Sequence, residues 1–213
     1  MASTPGILGM LTAMLVNGNN LWDVYGPAGA EAEVRVVSMM SKLIGYDPNV
    51  SGDIQHGRSR SYFLRTAFSD CKVAPESLRK GVPQNLYAFC SDAAHYSLFK
   101  SMEATGLGTD NLIRIKTNKD HSMDMEDLRC QMERVAQGGG IPVYIVATTG
   151  TTDAIAIDDV KGVRETAEAI AEEYGLKVPH IHADSALGGF FAFFNEYDLA
   201  ENPRNSQTVF FVC

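Results

Sequence analysis

The chain has 213 residues, 45% apolar and 21% charged, which suits one globular domain with a buried core and gives no case for disorder. Its 18 Lys plus Arg against 26 Asp plus Glu leave a net charge of -8, which argues against a nucleic-acid footprint and a polybasic membrane patch and favours a soluble protein acting on a small molecule. Cys71, Cys90, Cys130 and Cys213 lie far apart with no CxxC, so neither a zinc knuckle nor a dense disulfide framework is present, and a reducing compartment such as the cytoplasm is expected.

Residues 7–16 are apolar but too short to span a bilayer, and are read as a core or packing helix. The Gly-, Asn- and Pro-rich stretch 17–29 reads as an extended arm, of the kind that docks on a partner subunit. We therefore divide the chain into an N-terminal helix and arm, 1–29, and a large domain, 30–213. Over 30–43, Val34, Val37, Met40 and Leu43 recur at helical spacing, and Gly45 and Pro48 end the run.

Short apolar runs then alternate with amphipathic stretches. Strands are predicted at 86–90 and 113–115, with a helix over 96–105 between them. A helix follows over 123–135, capped by Ser122, with Asp124, Glu126 and Asp127 near its positive end and Gly138-Gly139-Gly140 closing it. Pro142 opens the strongest strand, 143–148. Asp158 or Asp159 caps the next helix, which runs to about Tyr174 and stops at Gly175, and a strand at 179–183 follows. This alternation is the signature of βαβ units: an α/β fold with a mainly parallel sheet covered by helices on both faces.

In such a sheet ligands settle beyond the carboxyl ends of the strands. Three of these ends carry chemistry: Ser91-Asp92-Ala93-Ala94-His95-Tyr96-Ser97, Thr149-Gly150-Thr151-Thr152, and Asp184. A parallel sheet brings one imidazole, one hydroxyl cluster and one carboxylate together.

His95-Tyr96-Ser97-x-x-Lys100, the run 147–152 followed by Asp158, and His182-Ala183-Asp184-Ser185-Ala186-x-Gly188-Gly189 resemble, in order and spacing, the pyridoxal-phosphate-dependent group II amino-acid decarboxylases of the glutamate and aromatic amino-acid type. The resemblance spans roughly residues 30–200. It implies the large domain of the aspartate-aminotransferase-like (fold-type I) enzymes, a homodimer, pyridoxal 5'-phosphate as cofactor, and decarboxylation of an L-amino acid to an amine and CO2. It also implies that Asp184 keeps the cofactor's pyridine nitrogen protonated, since a fixed carboxylate favours the cationic ring that serves as electron sink. His95 would stack on one ring face, Ala186 would cover the other, and Thr152 would lie near the cofactor or the substrate carboxylate.

The phosphate turn departs from the family pattern. Ser59 is the retained hydroxyl, but Arg58, Arg60 and Tyr62 stand where smaller or acidic residues are usual. The arginines either add favourable charge or block the close approach of backbone to phosphate, and a plain helix start with solvated arginines fits as well. The family attaches the cofactor aldehyde to a lysine some tens of residues after the aspartate. No lysine follows Lys177, and residues 204–213 do not resemble the family's continuation. The chain is therefore expected to be an incomplete or inactive form, lacking the small C-terminal domain.

Two rivals follow. A remnant that only binds cofactor or dimerises would give structure without turnover. His180, His182 and Asp184 alternate toward one strand face, a metal-ligand pattern suited to a hydrolase. That version needs further ligands from later strands, whereas His56, His95 and His121 all precede this one, so no metal is assigned.

Overall fold

A computed structural model describes residues 3–16, 18, 24, 26–44, 46–49, 73–193 and 208–210. The chain forms two units, Met1–Ile54 and Gln55–Cys213. In the first unit, α1 spans Thr4–Val16. It is apolar on every side, the pattern of a buried helix, and core helix and packing helix are the two readings its sequence supports. The core reading is corrected here, because none of its residues is buried, and Met14, Leu15 and Val16 are all more than 70% exposed; the packing reading is left. The second helix, α2, spans Pro27–Leu43 and so takes in the last residues of the expected arm. Pro27 accounts for the earlier start: its fixed φ suits the first helical turn, where its missing N–H costs nothing. Among the described residues, no helix is long and apolar enough to cross a membrane.

Among the described residues, the second unit is built on a five-stranded sheet. After the short helix α3 (Ser77–Lys80) come β1 (Leu86–Ser91), α4 (Ser97–Thr105), β2 (Leu112–Ile115) and α5 (Met125–Gln137). They are followed by β3 (Ile141–Thr148), α6 (Val160–Tyr174), β4 (His180–Asp184), a 3-10 turn (Gly188–Phe193) and β5 (Thr208–Phe210). The strand order is β2-β1-β3-β4-β5 and every pairing is parallel. Pro142 cannot donate to a ladder, yet it sits inside β3. It is tolerated because it faces Tyr87 where the β1–β3 register slips.

The period-2 alternation of the strands sorts their side chains onto two faces. On one, Phe89, Ile145 and Ile181 pack with Leu128 and Met132 of α5 and Val163, Ala167 and Ile170 of α6. On the other, Ala88, Cys90, Tyr144 and Val146 pack with Leu98 and Met102 of α4. Burial pushes the Cys90 thiol up to about 12.

Helix ends follow local chemistry. The α5 cap is Asp124, whose carboxylate accepts the N–H groups of Glu126 and Asp127 at 2.9 and 3.1 Å, so the expected Ser122 cap is corrected. Ser122 Oγ instead donates to Asp120 at 2.7 Å. Of the two candidates at α6, Asp159 is the cap, accepting Gly162 N–H at 3.0 Å, and Gly175 ends the helix in the left-handed region at φ 64°.

Candidate functional site

The carboxyl ends of β1, β3 and β4 lie side by side, since these strands are neighbours in the sheet. His95 follows β1 and is half-buried. Its Nδ1 lies 2.8 Å from Ser97 Oγ and 3.2 Å from the Ser97 N, which fixes the ring at the start of α4. Tyr96 lies against it, with ring centroids 4.4 Å apart.

Asp184 ends β4 at 3% exposure. Its Oδ1 accepts the Ala186 N–H at 3.3 Å, and its carbonyl accepts the Thr149 N–H at 2.9 Å. Its register partner on β3 is Thr148. His180 and His182 share its face of the sheet, and both stack on Tyr144, with centroids 5.7 and 6.0 Å away. The two imidazoles thus pack on a phenol ring. Among the described residues, no group of three or more His, Cys, Asp or Glu is disposed to hold a metal.

The turn after β3 is tied to the turn after β4. Thr149 Oγ1 and Ser185 Oγ are 2.6 Å apart in a buried hydrogen bond. Gly150, at φ 113°, and Gly188 bring the two backbones so close that a Cβ on Gly188 would lie 1.7 Å from the Thr149 carbonyl oxygen. Only glycine permits this approach. Thr151 Oγ1 accepts the Ala156 N–H at 3.0 Å and closes the loop that carries Thr152, which is exposed. Ala186 is half-buried in the turn after β4. Ser59, Arg58, Arg60 and Tyr62 lie outside the described residues.

Sequence reasoning missed what Asp158 does. It is fully buried, and its two carboxylate oxygens accept the N–H groups of Thr148 and Met123, each at 2.7 Å. Its own N–H returns to the Thr148 carbonyl at 2.9 Å. Burial pushes its carboxyl up to about 6, against the two N–H bonds that favour the ionised form, and Asp120 adds to the rise. The signal available in sequence was the pair Asp158-Asp159: one carboxylate is enough to cap a helix.

A parallel sheet with helices on both faces and a buried carboxylate closing an interior strand agrees with the fold that the resemblance to the fold-type I enzymes implies. Mouse CSAD has this fold, with a TM-score of 0.85 at 23% identity over 99% of this chain and 43% of that one. Tryptophan decarboxylase of Catharanthus roseus, solved with L-tryptophan, gives 0.83 at 24% identity over 99% and 46%. The conserved domain of the pyridoxal-dependent decarboxylases matches residues 1–199, and the chain belongs to that family. It is 29% identical to an L-2,4-diaminobutyrate decarboxylase of Acinetobacter baumannii over 90% of its own length and 40% of the relative's. It is 30% identical to a glutamate decarboxylase-like protein of Gibberella zeae over 99% of its length and 42% of that protein's. The chain thus spans less than half the length of the relatives it matches.

Proposed function

We propose that this protein serves pyridoxal 5'-phosphate-dependent decarboxylation of an L-amino acid to an amine and CO2. The observation that carries the reading is the buried Asp184 carboxylate at the carboxyl end of β4, beside Thr148 on β3 and two strands away from β1, whose end leads to His95. The donor set fits the cofactor. It offers a carboxylate for the ring nitrogen, an imidazole for the ring face, small residues where the ring must approach, and the hydroxyl of Thr148, buried with no hydrogen-bond partner among the described residues. When bound, the cofactor supplies a cationic ring that accepts the electron pair released as CO2 departs.

In this reading Asp184 holds a proton on the ring nitrogen, because a fixed anion in a dry setting favours the charged ring. The Ala186 N–H and the Thr149–Ser185 bond hold the Asp184 segment in place. His95, fixed by Ser97, covers one face of the ring, and Ala186 covers the other without crowding it. Thr152 orients the cofactor or the substrate carboxylate, and Ser59 binds phosphate. By name the relatives are a diaminobutyrate decarboxylase, a glutamate decarboxylase-like protein and a tryptophan decarboxylase, and the substrate class here is an L-amino acid. The protein works as a homodimer, for which the exposed apolar side chains of α1 provide surface, in the cytoplasm, with which the free thiols Cys90 and Cys130 accord.

The test is an equilibrium titration of the purified chain with pyridoxal phosphate, read by absorbance and dialysis, beside Asp184→Ala. Saturable binding that the variant loses is the expected result. Equal affinity in both proteins refutes the role given to Asp184.

A further inference from the structure

Thr148 closes β3 and is 4% exposed. By the alternation of the strand it lies on the face of Tyr144 and Val146, the face that also carries His182 and Asp184. Its main chain is engaged at both ends: the N–H donates to Asp158 Oδ2 at 2.7 Å, and the carbonyl accepts the Asp158 N–H at 2.9 Å. The side chain is the exception. Its hydroxyl is buried and has no hydrogen-bond partner among the described residues. Buried hydroxyls nearly always find one, and an unmet one in a native protein calls for a ligand, an ion or a water. Valine would fill the same volume at this position without the desolvation cost of an oxygen. What sets this oxygen apart is its neighbour, for its register partner across the parallel pair is Asp184.

We propose that Thr148 is a further positioning residue of the cofactor site, its hydroxyl mounted by Asp158 to hydrogen-bond the pair that the Asp184 carboxylate forms with the ring nitrogen of pyridoxal phosphate. The inference rests on the reading of Asp184 given above. The O–H turns about its own C–O bond, so it meets the newly formed pair without moving the strand. Because the backbone of Thr148 is held at both N–H and carbonyl, the hydroxyl is already in place before the ligand arrives, and little ordering is lost on binding.

A threonine that merely packs and a threonine that waits for a ligand respond oppositely to loss of the oxygen. The experiment compares the whole chain with its Thr148→Val, Thr148→Ser and Asp184→Ala variants. Each is melted without ligand and titrated with pyridoxal phosphate by absorbance and equilibrium dialysis. Thr148→Val is expected to melt at or above the wild-type temperature yet bind about tenfold more weakly, while Thr148→Ser, which keeps the hydroxyl, binds within about twofold. If Asp184→Ala loses binding but Thr148→Val keeps wild-type affinity, Thr148 has no part in the site and the reading of Asp184 stands. If Thr148→Val melts well below wild type, the hydroxyl serves the fold and the proposal fails. If Asp184→Ala binds as well as wild type, or wild type does not bind, both ideas fall together.

Discussion

Replacing Gly188 by alanine tests how firmly the turns after β3 and β4 are locked. The new Cβ would lie 1.7 Å from the carbonyl oxygen of Thr149 and 2.6 Å from its carbon, both backbone atoms with no rotamer to escape into. Raising the shorter contact from 1.7 to 3.0 Å, below which real Cβ contacts essentially do not occur, forces the two backbones apart by about 1.3 Å. The Thr149–Ser185 bond at 2.6 Å and the bond from Thr149 N–H to the Asp184 carbonyl at 2.9 Å both span that gap, and both would leave hydrogen-bonding range. Two lost bonds at about 1 kcal/mol each, plus the burial of groups left unpaired, come to about 3–4 kcal/mol. For a chain of this size that lowers the melting temperature by roughly 6–15 °C. Circular-dichroism melts of Gly188→Ala against wild type measure it, with a pyridoxal phosphate titration beside them, since the Asp184 segment shifts too. A drop under about 2 °C would show that the turns separate freely and that the close approach is not a constraint.

Asp158 gives a pH signature. Its folded-state carboxyl stands at about 6 against an ordinary 3.8, so between those values the folded chain binds more protons than the unfolded one. Stability contributed by this group therefore falls as pH rises from about 4 to about 6, by about 3 kcal/mol in all, and urea midpoints of Asp158→Asn should show that slope flattened. An unchanged slope would place the titration elsewhere. Asp124→Ala removes the acceptor of two N–H groups at the start of α5 and should cost about 1 kcal/mol, a fall of roughly 2–4 °C in melting temperature. Ser122→Ala should leave the melt within a degree or so, because Ser122 caps nothing.

Much of the large unit was legible because its central strands β1 and β3 are buried on both faces. Such strands read as near-continuous apolar runs, as 86–90 and 143–148 do, while 113–115 carries the exposed Arg114 between two isoleucines; all three became strands within a residue or two. Helix ends were harder: Ser122 and Asp124 both suit a cap, and the choice depends on which oxygen reaches two N–H groups in space. The Asp158-Asp159 pair shows the same limit, one carboxylate capping α6 and the other buried beneath β3. The apolar run at 7–16 misled, since a sequence shows how apolar a helix is but not whether anything covers it. The positions of His95 and Asp184 followed from the strand-end rule once the sheet was parallel. Thr148 escaped notice because it takes strand adjacency, register and a full account of hydrogen bonds to single out one oxygen. The phosphate turn around Ser59 falls outside the described residues.

The buried thiol of Cys90 offers a clock. With its proton held to about pH 12, only on the order of one molecule in ten thousand carries the thiolate at pH 8, and a strand and a helix wall it off from reagents. Cys130, exposed on α5, has no such shield. In a chain with Cys71 and Cys213 changed to serine, a maleimide would label Cys130 at once and Cys90 only when β1 parts from its neighbours. The ratio of the two labelling rates then counts openings of the middle of the sheet, and ligand that tightens the site slows the second rate while leaving the first alone.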